Sequence, residues 1–323
     1  MIKTSDRIQL VDFLQEQSDR FQEVIGGLTA PEKRLEPKFL YDQYGSELFE
    51  EITQLEEYYP TRTELAIMEE CLDEILSFIG KDSRIIEFGS GASRKIRLLL
   101  ASGMINEYCP IDISKSFLKE SIKQLSSDYT DIKITGIVAD YTTHLKLPDH
   151  LLDASRKKTV FFPGSTIGNF DKDEALKFLT RISSVLSSQD GLLIGVDLKK
   201  SPARLHQAYN DESGVTAQFN LNILRHLNRE YRAQFNLEQF EHYAYYNSSL
   251  GRIEMHLVSL LDQHVGIGDH TIQFREHESI HTENSYKYGI KEFQQLAENA
   301  GFLPMKTWTD KERLFSLHYF SVK

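Results

Sequence analysis

Two glycines and an aspartate stand at a spacing that suits a nucleoside-binding site. Gly89 and Gly91 follow the apolar residues Ile85–Phe88, and glycine there permits a tight turn with room for a ligand beside the main chain. Asp112 comes 21 residues after Gly91 (112 − 91), about where a carboxylate accepts ribose hydroxyls in dinucleotide-binding folds. Because an ordinary strand–turn–helix explains the two glycines equally well, the decision depends on residues further along the chain.

Asp140 and Tyr141 follow Ile132–Val138, the third apolar stretch in this part of the chain after Ile85–Phe88 and Glu107–Ile111. Either aspartate alone is more simply explained as a turn or helix-cap residue. Two of them at the carboxyl ends of successive strands predict a ligand in the crevice outside those ends, with an adenine amino group near Asp140. Arg94 replaces the third glycine of a dinucleotide fingerprint and no second nucleotide-binding half is visible, so S-adenosylmethionine fits better than NAD.

Short apolar stretches alternating with helical patterns must position these residues. Strands are predicted at Ile85–Phe88, Glu107–Ile111, Ile132–Val138, Thr159–Pro163 and Leu192–Leu198, with helices such as Ser116–Gln124 and Lys172–Leu186 between them. This alternation predicts a doubly wound α/β domain with a mostly parallel sheet. Two closing strands, around Leu303–Trp308 and Leu314–Val322, predict a C-terminal hairpin that suits the methyltransferase variant of this fold.

The remaining segments differ in character and predict a second lobe. Residues 8–25 have helical spacing ended by Gly26-Gly27, Thr63 is predicted to cap a helix, and residues 215–240 are predicted to be mainly helical. Ile253–Leu261 and Thr271–Phe274 are predicted to share a separate antiparallel sheet. We therefore predict a methyltransferase domain over residues 61–200 plus 286–323, and a substrate lobe over residues 1–60 plus 201–285.

The composition limits which binding partners and which cellular compartment are expected for this protein. A net charge of −11 disfavours nucleic acid, which is held through its phosphates. The two cysteines, Cys71 and Cys109, have no metal-ligand spacing and are expected to be reduced. No apolar run approaches a membrane span or a signal peptide. We expect a cytoplasmic monomer that binds no metal, no nucleic acid and no membrane.

Polar and aromatic residues outside the predicted strands are candidates for binding a small polar ligand. Asn169, after the fourth strand, offers amide donors and an acceptor that suit the amine and carboxylate of an amino acid. Glu283 and Ser285 lie two apart and would face the same way on an extended segment. Tyr58 and Tyr209 could line a pocket. For each residue alone, a structural or surface role is the commoner explanation.

Several stretches resemble the ergothioneine-pathway histidine Nα-methyltransferase family. They are Tyr41-Asp42-x-x-Gly45-Ser46-x-Leu48-Phe49, Glu57–Glu64, Glu87-x-Gly89-Ser90-Gly91, Gly164–Asn169, Gly214-Val215-Thr216-Ala217-x-Phe219-Asn220, Arg252–Leu257 and Thr282–Tyr288. The resemblance runs from about residue 36 to the C-terminus. One departure is Leu55-Glu56-Glu57, where the family more often has Leu-Pro-Glu.

The resemblance implies a class I methyltransferase domain, with a mostly parallel seven-stranded sheet, and a family-specific second α+β lobe. S-adenosylmethionine would be held by Gly89, Gly91, Lys95, Asp112, Asp140 and Tyr141. The resemblance assigns the α-amino and carboxylate groups of histidine to Asn169 and Tyr209, and the imidazole to Glu283, Ser285 and the neighbouring Met255. Tyr41 and Tyr58 would close the pocket, with Tyr41 and Asn169 implied for catalysis.

The implied reaction is the transfer of three methyl groups to the α-amine of L-histidine, giving hercynine, the first step of ergothioneine biosynthesis. Two alternatives stay open. A protein of the same fold could methylate another amino acid or amine. A catalytically silent protein could bind S-adenosylmethionine and use its second lobe to bind a partner. The acceptor of the amine proton is not assigned, since Tyr41 and water both suit that role.

Overall fold

The computed structural model describes residues 2–5, 7–14, 17–91, 94–142, 147–148, 151, 153 and 155–323. The chain divides into two compact units. The first comprises Met1–Leu14, Pro60–Lys199 and Tyr286–Lys323, and the second comprises Gln15–Tyr59 and Lys200–Ser285. This division differs from the predicted domains chiefly at the N-terminus, because residues up to Leu14 belong to the first unit.

A nine-stranded sheet forms the centre of the first unit in the described chain. Its strands are β1 (Ile2–Ser5), β2 (Ile8–Asp12), β3 (Ser83–Phe88), β4 (Ile105–Asp112), β5 (Lys133–Val138), β6 (Lys158–Phe162), β7 (Gly191–Asp197), β13 (Phe302–Thr309) and β14 (Phe315–Val322). Their order is β1-β2-β5-β4-β3-β6-β7-β14-β13. Neighbours from β2 to β7 are parallel, whereas β14 is antiparallel to both β7 and β13. The predicted strands and the C-terminal hairpin are confirmed, and β1 and β2 extend the sheet beyond the seven predicted strands.

The central strands of the first unit are apolar because helices cover them, and these helices belong mainly to the same unit. They are α3 (Tyr59–Glu70), α4 (Leu72–Ile79), α5 (Arg94–Leu100), α6 (Lys115–Asp128), α7 (Lys172–Val185) and α10 (Ile290–Asn299). One core packs around Phe162, Phe178 and Phe293, and the other around Ile85 and Leu99. Every residue of β3, β6 and β7 is buried, as expected for parallel strands covered on both faces.

The second unit combines helices with two small sheets. The helices are α1 (Gln17–Thr29), α2 (Gln43–Ile52), α8 (Pro202–Tyr209) and α9 (Val215–Tyr231). The strands are β8 (Phe240–Asn247), β9 (Arg252–Ser259), β10 (Gln263–Ile267), β11 (His270–Phe274) and β12 (Ser279–Tyr286). β12, β9 and β8 form one sheet, and β10 and β11 form another. The prediction that Ile253–Leu261 and Thr271–Phe274 share one sheet is therefore wrong.

The N-terminal segment corrects a second prediction. Residues 8–12 form strand β2, which runs parallel to β5, and the helix predicted over residues 8–25 begins only at Gln17. This helix continues to Thr29, so Gly26-Gly27 does not end it. Gly27 serves a close approach instead, because a Cβ there would lie 2.3 Å from the Arg34 carbonyl oxygen.

Thr63 does not cap a helix, because α3 already begins at Tyr59. Pro60 stands in its first turn, where proline is well tolerated because the first N–H groups of a helix have no partner within it. Within the described residues, no helix is long and apolar enough to cross a membrane.

Candidate functional site

The turn after β3 has the backbone conformation that its glycines predict. Gly89 has φ of 69° and Gly91 has φ of 48°, a region that residues with a Cβ rarely adopt. A Cβ at Gly89 would lie 3.3 Å from the Tyr141 hydroxyl. A Cβ at Gly91 would meet nothing within 4 Å in the described part of the chain, so the main chain is open on that side, while Tyr141 lies against Gly89.

Asp112, at the end of β4, is joined directly to this turn. Its Oδ2 accepts the Gly91 N–H at 3.1 Å, and its Oδ1 accepts the Ser114 N–H at 3.0 Å. Burial raises the pKa of Asp112, while these backbone hydrogen bonds oppose that rise. Each carboxylate oxygen has a further lone pair that can accept a ligand hydroxyl. The contact of Asp112 with a ribose stays a prediction.

Asp140 and Tyr141 follow β5 at the same edge of the sheet. The Oδ1 atom of Asp140 accepts the Thr142 N–H at 2.9 Å, so the carboxylate also shapes its own turn. The Tyr141 ring packs edge-on against Phe88 and Phe162, with ring centroids 5.7 and 6.0 Å apart. These contacts hold a flat aromatic surface beside the glycine turn.

Lys95, the remaining predicted cofactor residue, is paired with a carboxylate that the sequence analysis missed. The Lys95 Nζ lies 2.5 Å from Oε2 of Glu64, and the same oxygen accepts the Gly164 N–H at 2.8 Å. Glu64 has no exposed surface. Its only sequence signal was its place in the Glu57–Glu64 stretch, which says nothing about this pairing.

Glu87 is a second buried carboxyl group that the site predictions did not include. It accepts a hydrogen bond from the Tyr108 hydroxyl. Burial raises the pKa of Glu87 to about 8, and the negative charges of Asp112 and Glu64 add to this rise while Lys95 opposes it. The carboxyl group two residues before Gly89 is therefore mostly protonated at neutral pH.

Asn169 ends a short 3-10 helix, Thr166–Asn169, in the loop after β6. Ser165 precedes this helix with φ of 58°, and its hydroxyl accepts the Asp197 N–H at 2.8 Å. A Cβ at Gly168 would lie 2.8 Å from the carbonyl oxygen of Tyr286. Close packing on both sides therefore fixes the backbone that carries Asn169.

The second unit links the predicted substrate residues through a series of rings. Tyr41 packs against Phe49, and Phe49 against Tyr58, with centroids 5.7 and 6.2 Å apart. Tyr58 then packs against Tyr209 at 6.3 Å, and the Tyr209 hydroxyl donates to Oγ of Ser285 at 2.7 Å. The structure thus brings together four residues that are widely separated in the sequence.

Strand β12 carries Glu283 and Ser285, and both are buried. On the same strand, the Thr282 hydroxyl donates to the amide oxygen of Asn220 at 2.6 Å and lies 3.1 Å from the carbonyl oxygen of Met255 on β9. Asn220 is wholly buried on α9, and its contact with this strand was not predicted from the sequence. It fixes the strand on which the two predicted imidazole-binding residues lie.

The predicted site residues therefore fall into two sets. Gly89, Gly91, Lys95, Asp112, Asp140, Tyr141 and Asn169 lie in the first unit, and Tyr41, Tyr58, Tyr209, Met255, Glu283 and Ser285 lie in the second. Among the described residues, no group of three or more His, Cys, Asp or Glu side chains is arranged to hold a metal ion.

The fold and the first set of residues together define a class of protein. A glycine turn after β3, carboxylates after β4 and β5, and the strand order β5-β4-β3-β6-β7-β14-β13 characterise a class I S-adenosylmethionine-dependent methyltransferase. Residues 20–322 match the profile of the family described as "Histidine-specific methyltransferase, SAM-dependent". The chain belongs to this family.

Individual relatives agree with that membership. A histidine N-alpha-methyltransferase of Mycolicibacterium smegmatis is 38% identical over 302 residues, covering 92% of each chain. Ergothioneine biosynthesis protein 1 of Neurospora crassa is 35% identical over 288 residues, which are 86% of this chain and 32% of that protein. A 4-dimethylallyltryptophan N-methyltransferase of Aspergillus fumigatus is 28% identical over 303 residues, covering 89% of each chain.

Proposed function

We propose that the protein transfers three methyl groups in succession from S-adenosylmethionine to the α-amine of L-histidine. The product would be hercynine, and the reaction would be the first step of ergothioneine biosynthesis. Family membership over residues 20–322 supports this proposal. The observation that carries it is the buried Glu283 on β12, two residues from a Ser285 that is hydrogen-bonded to Tyr209.

In this proposal Gly89, Gly91, Lys95, Asp112, Asp140 and Tyr141 hold S-adenosylmethionine. The carboxylate of Asp112 accepts the ribose hydroxyls, and the ammonium of Lys95 complements the α-carboxylate of the methionyl group. S-adenosylmethionine supplies an already activated methyl group on its sulfonium. The protein is therefore required mainly to align the acceptor and exclude water.

The substrate residues would recognise both ends of histidine. Asn169 and Tyr209 hold the α-amino and carboxylate groups, while Tyr41 and Tyr58 close the pocket. Glu283 and Ser285 bind the two imidazole nitrogens, and Met255 packs nearby. A phenyl side chain would leave the buried carboxylate and hydroxyl without donors and acceptors, so phenylalanine would be rejected.

The α-amine must be neutral to attack, because a protonated amine has no lone pair. The amide oxygen of Asn169 can accept an amine N–H and so direct the nitrogen lone pair. No covalent intermediate with the protein is required. Tyr41 and water both remain open as the acceptor of the released proton.

We also propose that the protein acts as a cytoplasmic monomer without nucleic acid or membrane partners. The net charge of −11 supports the absence of a nucleic acid partner. Both cysteines are free thiols, Cys109 being buried and Cys71 partly buried, which suits a reducing compartment.

Incubating the purified protein with S-adenosylmethionine and each common amino acid in turn, with mass-spectrometric detection, tests the proposal. We expect three successive methyl additions to histidine and none to the others. Methylation of another amino acid instead would give a same-fold enzyme of different specificity. Bound cofactor without turnover of any amino acid would overturn the enzymatic proposal.

A further inference from the structure

We propose that Glu64 is a positioning residue for methyl transfer: its one carboxylate fixes both the Lys95 ammonium and the loop that leads to Asn169. This inference rests on the proposed function, because it gives Lys95 and Asn169 the roles assigned there. It adds a residue from α3 that contacts neither histidine nor cofactor in that proposal and acts through the residues that do.

The geometry joins three elements of the first unit at a single oxygen atom. Glu64 lies on α3, Lys95 on α5, and Gly164 just after β6. Oε2 of Glu64 lies 2.5 Å from the Lys95 Nζ and accepts the Gly164 N–H at 2.8 Å. A shift of this carboxylate would therefore move the ammonium and release the start of the Asn169 loop together.

Two glycines make room for this arrangement. A Cβ at Gly195, on β7, would lie 2.0 Å from Oε1 of Glu64, so any larger residue there would displace the carboxylate. Gly164 has φ of 78°, and a Cβ there would lie 3.4 Å from the Lys95 Nζ. The main chain thus leaves space for a buried ion pair at the carboxyl ends of β6 and β7.

Because the Glu64–Lys95 ion pair is buried, it also limits the positions that the two side chains can take. The Glu64 side chain is 0% exposed and that of Lys95 is 14% exposed. Removal of one partner would therefore leave the other charge buried with little access to water, which is costly. Oε1 of Glu64 has no hydrogen-bond partner among the described residues. The orientation of the carboxylate therefore depends on the two contacts of Oε2, and the Lys95 ammonium is held at one point beside the Gly164 backbone.

The same unit contains a matched pair for comparison. Nζ of Lys158 lies 3.0 Å from Oδ2 of Asp190, with both side chains buried, and Oδ1 of Asp190 accepts the Lys158 N–H at 2.7 Å. This pair lies at the amino ends of β6 and β7, whereas the cofactor residues lie at the carboxyl ends of the parallel strands. It is likewise a pair of a lysine with a wholly buried carboxylate, but no ligand is predicted beside it.

The test compares Glu64→Gln, Lys95→Met, the double variant and Asp190→Asn in the full chain. Calorimetry gives the Kd of S-adenosylhomocysteine, steady-state assays give kcat and KM for histidine, and thermal unfolding gives Tm. We expect Glu64→Gln to weaken S-adenosylhomocysteine binding about tenfold and to lower kcat, because the amide oxygen can still accept both hydrogen bonds but no longer carries the negative charge that holds the Lys95 ammonium. Asp190→Asn should lower Tm and leave Kd within about twofold of wild type.

The double variant decides whether Glu64 acts through Lys95. It should bind S-adenosylhomocysteine as weakly as Lys95→Met alone, because the two residues form one unit. It also removes both buried charges, so it keeps the test informative if Glu64→Gln does not fold. Kd and kcat of Glu64→Gln near wild type, or a double variant much weaker than Lys95→Met, would overturn the positioning role. Wild-type affinity in Lys95→Met would instead overturn the cofactor assignment in the proposed function.

Discussion

At the scale of single residues, Glu87 shows how burial changes the charge near the glycine turn. Because its pKa is raised to about 8 by burial, Glu87 is mostly a neutral acid at pH 7. Lys95 then finds its counter-charge in Glu64, whose Oε2 lies 2.5 Å away, rather than in Glu87. One buried carboxyl group is thus a hydrogen-bonding group and the other an ion-pair partner.

The raised pKa of Glu87 predicts how stability depends on pH. Its folded pKa of about 8 lies above the ordinary value of 4.5, so the native state binds more protons than the unfolded state between these values. Stability is therefore lost as pH rises through that window. Glu87→Gln removes this titration and should gain on the order of a few kcal/mol relative to wild type between about pH 5 and pH 8.

Urea unfolding of both proteins at the two pH values measures this gain. The control is Glu212→Gln, an exposed carboxylate whose removal should leave the pH dependence as it is in wild type. The same pH dependence in Glu87→Gln and wild type would show that Glu87 is already ionised in the folded protein.

Glu283 should determine substrate choice without affecting the cofactor. Removing its carboxylate leaves an imidazole N–H unpaired in a buried position, which costs about 1–3 kcal/mol, or roughly 5- to 150-fold in affinity. We therefore expect Glu283→Ala to raise the Kd of histidine by that factor, with S-adenosylhomocysteine affinity unchanged. Calorimetry measures both, and the exposed Glu276 provides a control alanine variant. Intact histidine affinity would remove Glu283 from the substrate site.

In contrast to replacement of Glu283, replacement of Asp112 should weaken binding of the cofactor. Its carboxylate holds the Gly91 and Ser114 N–H groups, so Asp112→Ala removes a ribose acceptor and also releases the turn. We expect S-adenosylhomocysteine affinity to fall by at least about a hundredfold. Asp128→Ala, which breaks only an exposed pair with Arg97, is the control. Calorimetric affinity at the wild-type level would exclude Asp112 from the cofactor site.

At the scale of elements, we expect a displacement of the 3-10 helix Thr166–Asn169 to lower activity much more than stability. Alanine at Gly168 would place its Cβ 2.8 Å from the carbonyl oxygen and 3.2 Å from the nitrogen of Tyr286, so the helix must shift and carry Asn169 with it. We expect kcat/KM to fall at least about tenfold, since small misplacements of positioning groups are costly. Tm should change little by comparison, because the helix is short.

Gly26→Ala is the matched control for this prediction. Gly26 lies inside α1, and a Cβ there would meet nothing within 4 Å. Alanine in a helix interior is better than glycine by about 0.8–1 kcal/mol, so the control should unfold at a higher urea concentration with unchanged activity. A Gly168→Ala enzyme with wild-type kcat/KM would show that Asn169 does not depend on this helix.

The elements also show what the sequence could predict. Strands β3, β6 and β7 are buried throughout, and burial on both faces leaves continuous apolar runs that can be recognised locally. Strand β2 is half-buried, and its spacing fits a helix as well as a strand. It is a strand because it pairs with β5 more than a hundred residues later, which no local pattern shows.

The same distinction applies to the candidate site. Gly89, Gly91 and Asp112 follow strands that could be predicted, so their proximity followed from the sheet alone. The contact between Glu64 and Gly164 joins residues 100 apart, and that between Tyr209 and Ser285 joins residues 76 apart. Such pairs depend on packing between elements, which no local pattern in the sequence shows.

At the scale of the whole molecule, each unit contains a buried imidazole that resists protonation. Burial lowers the pKa of His318, in the first unit, to about 3. Burial also lowers the pKa of His281, in the second unit, to about 4, with the neighbouring His256 adding to the effect. Both residues are neutral in the folded protein at pH values where the unfolded chain would protonate them.

Taken alone, the contributions of these two imidazoles and Glu87 to stability add up to a maximum near pH 6.5. For each imidazole, stability is fully present above the unfolded pKa of 6.5 and is lost as pH falls towards the folded value. Glu87 removes stability as pH rises from about 4.5 to about 8. Below pH 6.5 the two imidazoles outweigh the one carboxyl group, and above pH 6.5 Glu87 is the one of these three groups that still titrates.

A histidine variant tests the acid side of this argument. His281→Asn removes a group that must take up a proton on unfolding. The free energy of unfolding of the variant should therefore fall less steeply with decreasing pH than that of wild type. The deficit of the variant relative to wild type, measured by urea unfolding, should shrink as pH falls from about 7 to about 4. His277→Asn, at an exposed position, should show no such trend. A deficit that stays constant across this range would mean that His281 takes up its proton in the folded state.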